Sequence, residues 1–241
     1  MPASLFSEML KLRNSLALLL CAAAPLMVVV LTSLVVMDRD EPTPWPLFTT
    51  NLAAAWGLFM LPMTVTALTI LLAQIEHGPR FWNHLLALPV PKWRLFAAKS
   101  VLTILLVGLM SAALILLTPV AGHFAEWAAA GPQLVGTPRF KEHGAQVAGM
   151  FLSSLLLIAV QLWAALRFRS FVPPLVLGIG GTLVAVVASG AEQGVWFPWL
   201  IPANMLSENP AQAALAGTIG FWGGLAALAA MIVDLSRREF R

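Results

Sequence analysis

Charge is scarce in this sequence. Only 10% of its 241 residues are Asp, Glu, Lys or Arg, whereas 59% are hydrophobic. Soluble domains carry about 25% charged residues, so most of the surface here does not face water. Length alone would permit one or two soluble domains, but the apolar runs leave no room for one. A single cysteine, Cys21, excludes an intrachain disulfide and a cysteine metal cluster. It lies within an apolar run and reads as a small packing residue. Tyrosine is absent, and nothing in the residues explains that. No Gly-Lys dipeptide occurs, so the phosphate-cradling pattern GxxxxGK(S/T) is missing and the chain has no nucleotide site of its own. The four histidines, His77, His84, His123 and His143, are expected in connecting segments, with Glu192 and Asp234 at helix ends. Ionisable groups at membrane depth are costly and mark function. Their scarcity here, with no HExxH, disfavours an intramembrane protease or a proton-coupled carrier.

What the sequence does contain is six apolar stretches, over residues 15–37, 51–75, 95–120, 147–166, 171–190 and 211–234. Each is close to the roughly 20 residues that cross a bilayer core. They predict an all-α polytopic membrane protein in which residues 1–241 form one transmembrane domain. Lys11 and Arg13 before the first run, and Cys21 within it, raise the possibility of a secretory or lipoprotein signal. The run continues through Pro25 to Met37, and Leu20 stands where a lipoprotein signal needs a small residue. An uncleaved first helix is therefore expected. Ahead of it, Leu5, Phe6, Met9 and Leu10 recur at helical spacing, with Glu8 and Lys11 on the other side. Residues 1–14 thus suit a helix lying in the membrane interface, the alternative being a frayed tail.

The connections are of two kinds. Residues 38–50, 121–146 and 191–210 are rich in Pro, Gly, Trp and acids, whereas 76–94 and 167–170 are rich in Arg and Lys. With the N-terminus in the cytoplasm, 11 of the 14 basic residues fall inside, and only Arg39, Arg139 and Lys141 fall outside. This is a strong positive-inside bias and places both termini in the cytoplasm. It also accounts for the net charge of +3 without a nucleic-acid partner. Trp45, Trp127, Trp196 and Trp199 are expected at the outer interface, with Trp82, Trp93 and Trp163 at the inner one, as aromatic belts are. Small residues recur every fourth position in Ala145, Gly149 and Ser153 and in Ala216, Gly220 and Gly224. Such rows bring helices close, within one chain or at a dimer seam. Gly178, Gly180 and Gly181 make the fifth run either flexible or closely packed.

The one sizeable cytoplasmic connection, residues 76–94, has its own pattern. Gly78-Pro79 suits the start of a short helix, which would run to about Leu88 before Pro89 and Pro91 end it. Phe81, Trp82, Leu85, Leu86 and Leu88 make it apolar, and Arg80, Asn83 and His84 occupy the remaining face. A helix of this kind can dock into the groove of a soluble partner or rest on lipid; the residues alone leave both open.

Four features together resemble a known family. They are the amphipathic start from Leu5 to Ser15; Glu76 followed by Trp82, Leu85-Leu86, Leu88-Pro89-Val90 and Lys92-Trp93-Arg94 through Lys99; the stretch Trp196-Phe197-Pro198-Trp199-Leu200-Ile201-Pro202; and the six-helix layout over the whole chain. The sequence resembles permease subunits of exporter-type ATP-binding-cassette (ABC) transporters, in the lantibiotic-immunity and drug-export branch. It departs from them in carrying Pro79-Arg80 where that group has a small residue and threonine. The resemblance implies a multi-pass protein of the bacterial cytoplasmic (inner) membrane, paired with a copy of itself or a related permease. Soluble ABC ATPase subunits would hydrolyse ATP, so the chain itself would be no enzyme and would hold no cofactor or metal. Residues 1–14 would be an elbow helix, 76–91 the coupling helix in the ATPase cleft, and 191–210 short re-entrant pieces near the outer leaflet. The coupling contacts would fall on Glu76, Arg80, Phe81, Trp82, Leu85 and Leu86. A non-transporting membrane scaffold or assembly subunit would share this topology without needing a helix matched to an ATPase. The charge-free interior suits an amphipathic or lipid-like cargo.

Overall fold

The computed structural model describes Leu12 and residues 15–39, 41–77, 91–128 and 134–238. In a bilayer every backbone N–H and C=O must be satisfied within the protein, and helices do this span by span. The chain accordingly folds into rods. α1 (Leu16–Met37) is followed by α2 (Trp45–Ala55), a π-helical turn (Trp56–Met60) and α3 (Leu61–His77), which together make one long rod. α4 (Lys92–Ala128) is 37 residues long. α5 (Phe140–Ser153) and α6 (Leu155–Arg167) are separated only by a turn at Ser154. α7 (Val172–Val187) is short. The last rod is α8 (Pro210–Thr218), a second π-helical turn (Ile219–Gly223) and α9 (Gly224–Arg237). Five helices among the described residues are long and apolar enough to cross a membrane, and α7 is a shorter apolar helix. The only strands among these residues, β1 (Thr43–Pro44) and β2 (Leu134–Val135), pair in parallel and join two connections at one end of the bundle.

The helices do not end where the apolar runs end. Trp45 and Pro46 open α2 inside a segment expected to be a loop, because proline is tolerated in a first turn. α4 continues through Pro119 as far as Ala128, and α5 starts at Phe140. Much of 121–146 is therefore helical rather than loop. α7 moves the other way. Pro173 and Pro174 occupy its first turn, and it stops at Val187, so its 16 residues span about 24 Å against a hydrocarbon core of about 30 Å.

α1 packs chiefly along α4, α6 against both α3 and α9, and α7 against α3. The two rows of small residues meet inside the chain. Gly220 lies against the backbone of Ser153 and Gly224 against that of Leu155, so closely that a Cβ on either glycine would collide with main-chain atoms. Close approach of this kind is what joins helices where lipid removes the hydrophobic drive to associate. Thr66, Thr69, Ser100, Thr103 and Thr182 return their hydroxyls to the carbonyl four residues back, so they add no unpaired donor within the spans.

Candidate translocation path and coupling segment

The segment expected to couple the chain to an ATPase is bounded by α3, which ends at His77, and α4, which begins at Lys92. Glu76 is in the last turn of α3. Its side chain, and Arg80, Phe81, Trp82, Leu85 and Leu86, lie outside the described residues, as do residues 1–11 of the expected elbow helix. The roots of the segment are described, and they share one apolar knot. Ala73 of α3 and Phe96 of α4 are buried in a single cluster with Leu162 and Leu166 of α6 and Met231 and Leu235 of α9. A polar layer lies beside it. The Trp163 indole N–H donates to Asp234 Oδ2 at 2.9 Å, and Arg167 Nη1 donates to the same oxygen at 3.2 Å. The Arg167 guanidinium also stacks over the Trp163 ring, 5.1 Å from its centroid. Lys92 Nζ donates to the Arg238 carbonyl at 3.1 Å. The first residue of α4 is thus tied to the end of α9, and α9 to α6. The ends of α3, α4, α6 and α9 thus form one close-packed unit, of the kind through which displacement is transmitted.

Farther along the bundle a cavity of about 400 Å³ opens between α1, the α2–α3 rod and α7. Leu20, Ala24 and Met27 line it from α1, Phe59, Met60, Met63 and Thr66 from the rod, and Leu175 and Ile179 from α7. Its wall is almost wholly apolar, and the three unbranched methionines Met27, Met60 and Met63 give it an adaptable surface. The rod is irregular at this level. The π-helical turn ends two residues before Pro62, which has no N–H to give the helix. Thr64 bonds back to the carbonyls of Met60 and Leu61. π-turns inside helices frequently sit at functional sites. Gly178 of α7 packs directly on Thr66, and Gly181 lies under the Trp199 ring, so these glycines serve close packing.

The model of the ABC-2 family transporter protein matches residues 4–185, three quarters of the chain. The chain belongs to the ABC-2 transporter family. It is therefore the membrane-spanning permease component of an ABC transporter, and the match does not single out a lantibiotic-immunity branch. No curated protein and no solved structure matches it. The matched region takes in the coupling segment and ends within α7, so the 191–210 connection and the last rod of this ABC-2 permease lie beyond it.

At the end of the permease away from the basic cluster, two expectations change. Trp45 and Trp199 are buried, not part of a lipid-facing belt. Trp45 meets Phe48 and Phe140 edge-on at 5.8 and 5.6 Å, and Gly122 of α4 leaves room for its ring. Trp127 and Trp196 do remain exposed. His123 lies within α4, and His143 is not in a loop either. It lies buried in α5, with Nε2 3.0 Å from the Thr118 hydroxyl of α4; the helix starts before the apolar run does, which hid it. Residues 191–210 form two 3-10 turns, Glu192–Trp196 and Ala203–Leu206, and Val195, Trp199, Leu200 and Ile201 fold back into the bundle. Beneath them Ser189, Asn204, Ser207 and Gln212 line a polar cavity of about 320 Å³. Among the described residues no group of three or more His, Cys, Asp or Glu gathers as a metal site. The Asp234 network also escaped sequence reading. Its only trace was Trp163 and Arg167 at i,i+4 near a helix end that Asp234 faces across the bundle.

Proposed function

We propose that this ABC-2 permease is the membrane half of an exporter, assembled as a homodimer or with a related permease and driven by a separate soluble ATPase. It sits in a bacterial cytoplasmic membrane with both termini in the cytoplasm, as the distribution of basic residues favours. The observation that carries this reading is the shared anchoring of α3, α4, α6 and α9 beside Lys92. The short apolar helix expected from the sequence of residues 78–88 would be anchored through α3 and α4 in that knot, well placed to pass a partner's motion into the spans. Phe81, Trp82, Leu85 and Leu86 would enter a groove on the ATPase, with Arg80 at an acidic rim and Glu76 on a basic group or capping the coupling helix. The apolar cavity between α1, the α2–α3 rod and α7 supports a path for amphipathic cargo.

The purified single chain is expected to hydrolyse no ATP, having no phosphate loop, whereas its complex with a nucleotide-binding subunit should hydrolyse it and move cargo outward in proteoliposomes. Hydrolysis by the pure single polypeptide would refute the division of labour. A complex that imports cargo would refute the direction.

A further inference from the structure

A groove of about 340 Å³ runs between α6 and α9 on the basic end of the bundle. Its apolar floor is Ala159, Val160, Ala227, Ala230 and Met231, and it ends at Trp163 and Asp234. Along α9 these positions recur at helical spacing, so the groove follows one helix face for about 10 Å. Arg237, the last residue of α9, comes three residues after Asp234, and Arg238 follows in extended backbone just past the helix end. Arg167 caps the α6 side, and Lys92 brings a further cation to the Arg238 carbonyl. Among the described residues Asp234 is the carboxylate lining this groove, and its Oδ2 is already held by Trp163 and Arg167. The rim is therefore cationic overall, at the depth where an interfacial tryptophan marks the headgroups. Three other cavities among the described residues lack this combination: the α1–α7 cavity has no charged lining residue, the polar one beneath residues 191–210 has no cation, and the one at Asp38, Arg39 and Glu41 sets a single arginine against two carboxylates.

We propose that this groove is a binding site for one phospholipid with an anionic headgroup, an acyl chain lying along Ala227, Ala230 and Met231 and the phosphate held by Arg237 and Arg238. A slot of uniform apolar wall would take any acyl chain; the arginines select the sign of the headgroup, as basic pockets between transmembrane helices do. Because the slot joins α6 to α9 beside the knot that anchors the coupling segment, the bound lipid bears on the same two helices that the segment moves.

The test is native mass spectrometry of the purified full-length permease in neutral detergent, titrated with phosphatidylglycerol or with phosphatidylcholine of the same chains. Phosphatidylglycerol should bind more tightly. The double variant Arg237→Gln/Arg238→Gln should weaken it by roughly thirtyfold, to the level of phosphatidylcholine. Ala230→Trp, at an exposed position, should remove bound lipid of both kinds, and Arg139→Gln at the far end should change nothing. sn-Glycerol 3-phosphate, a headgroup without chains, should not compete. The proposal is overturned if the double variant keeps its preference, if glycerol phosphate competes as well as the lipid, or if Ala230→Cys in native membranes cross-links to residues 1–11 or to a second copy of the chain. The double variant lies at the end of α9, and an unchanged size-exclusion profile shows that its loss of lipid is not a loss of fold.

Discussion

Gly220 and Gly180 are both helical glycines in this permease, and they predict opposite outcomes. A Cβ on Gly220 would strike the Ser153 backbone, whereas one on Gly180 has nothing within 4 Å. Overpacking costs about 1–3 kcal/mol, and main-chain atoms cannot rotate away. Gly220→Val should therefore lower the thermal midpoint in detergent by roughly 5 °C or more, while Gly180→Ala leaves it equal or slightly higher. Equal midpoints for the two variants would mean that α8–α9 does not lie on α5–α6 as described. The small-residue rows were visible in the sequence, but whether they faced a second chain or each other was not, since spacing names a helix face and not what covers it. Trp45 shows the same gap. A tryptophan beside a membrane run reads as an interfacial anchor, yet Gly122 on a distant helix is what makes room to bury it.

At the scale of elements, the apolar runs identified the helices better than their ends. Hydropathy marks the part of a helix in contact with lipid, and α4 and α5 continue past it on contacts with each other and with Trp45. The two π-helical turns had no sequence signature beyond Gly57 and Pro62 at the first and the glycines at 220, 223 and 224 at the second. The turn at Trp56–Met60 sets Phe59 and Met60 in the apolar cavity. Met63→Trp, one helical turn on, should fill that cavity. A clash of about 1–3 kcal/mol with cargo corresponds to roughly five- to 150-fold lower occupancy. Transport should fall accordingly while the protein still inserts and still binds its ATPase. Undiminished transport by Met63→Trp would move the path elsewhere.

Over the whole molecule, fold class and family were legible in composition and in a few short motifs, whereas the apolar knot of α3, α4, α6 and α9 and the Asp234 contacts beside it were not, because they depend on which span ends converge. The uneven distribution of basic residues gives a topology that can be checked. Cysteines at Glu41, Lys141 and Glu208, all exposed, should react with an impermeant maleimide added outside cells, and one at Arg169 should not; the native Cys21 is buried. Labelling at Arg169 alone would invert the molecule. The central claim is that the segment between α3 and α4 couples this permease to its ATPase, and pull-down of the ATPase combined with cargo-stimulated hydrolysis tests it most directly. Trp82→Ala should weaken association by about 2 kcal/mol or more, as loss of a buried aromatic anchor does. Leu85→Asp should abolish stimulation, and Lys141→Ala at the opposite end should match the parent. If Trp82→Ala and Leu85→Asp bind and couple like the parent, the segment is a loop resting on lipid and the account of an ATPase-driven permease built on it is contradicted.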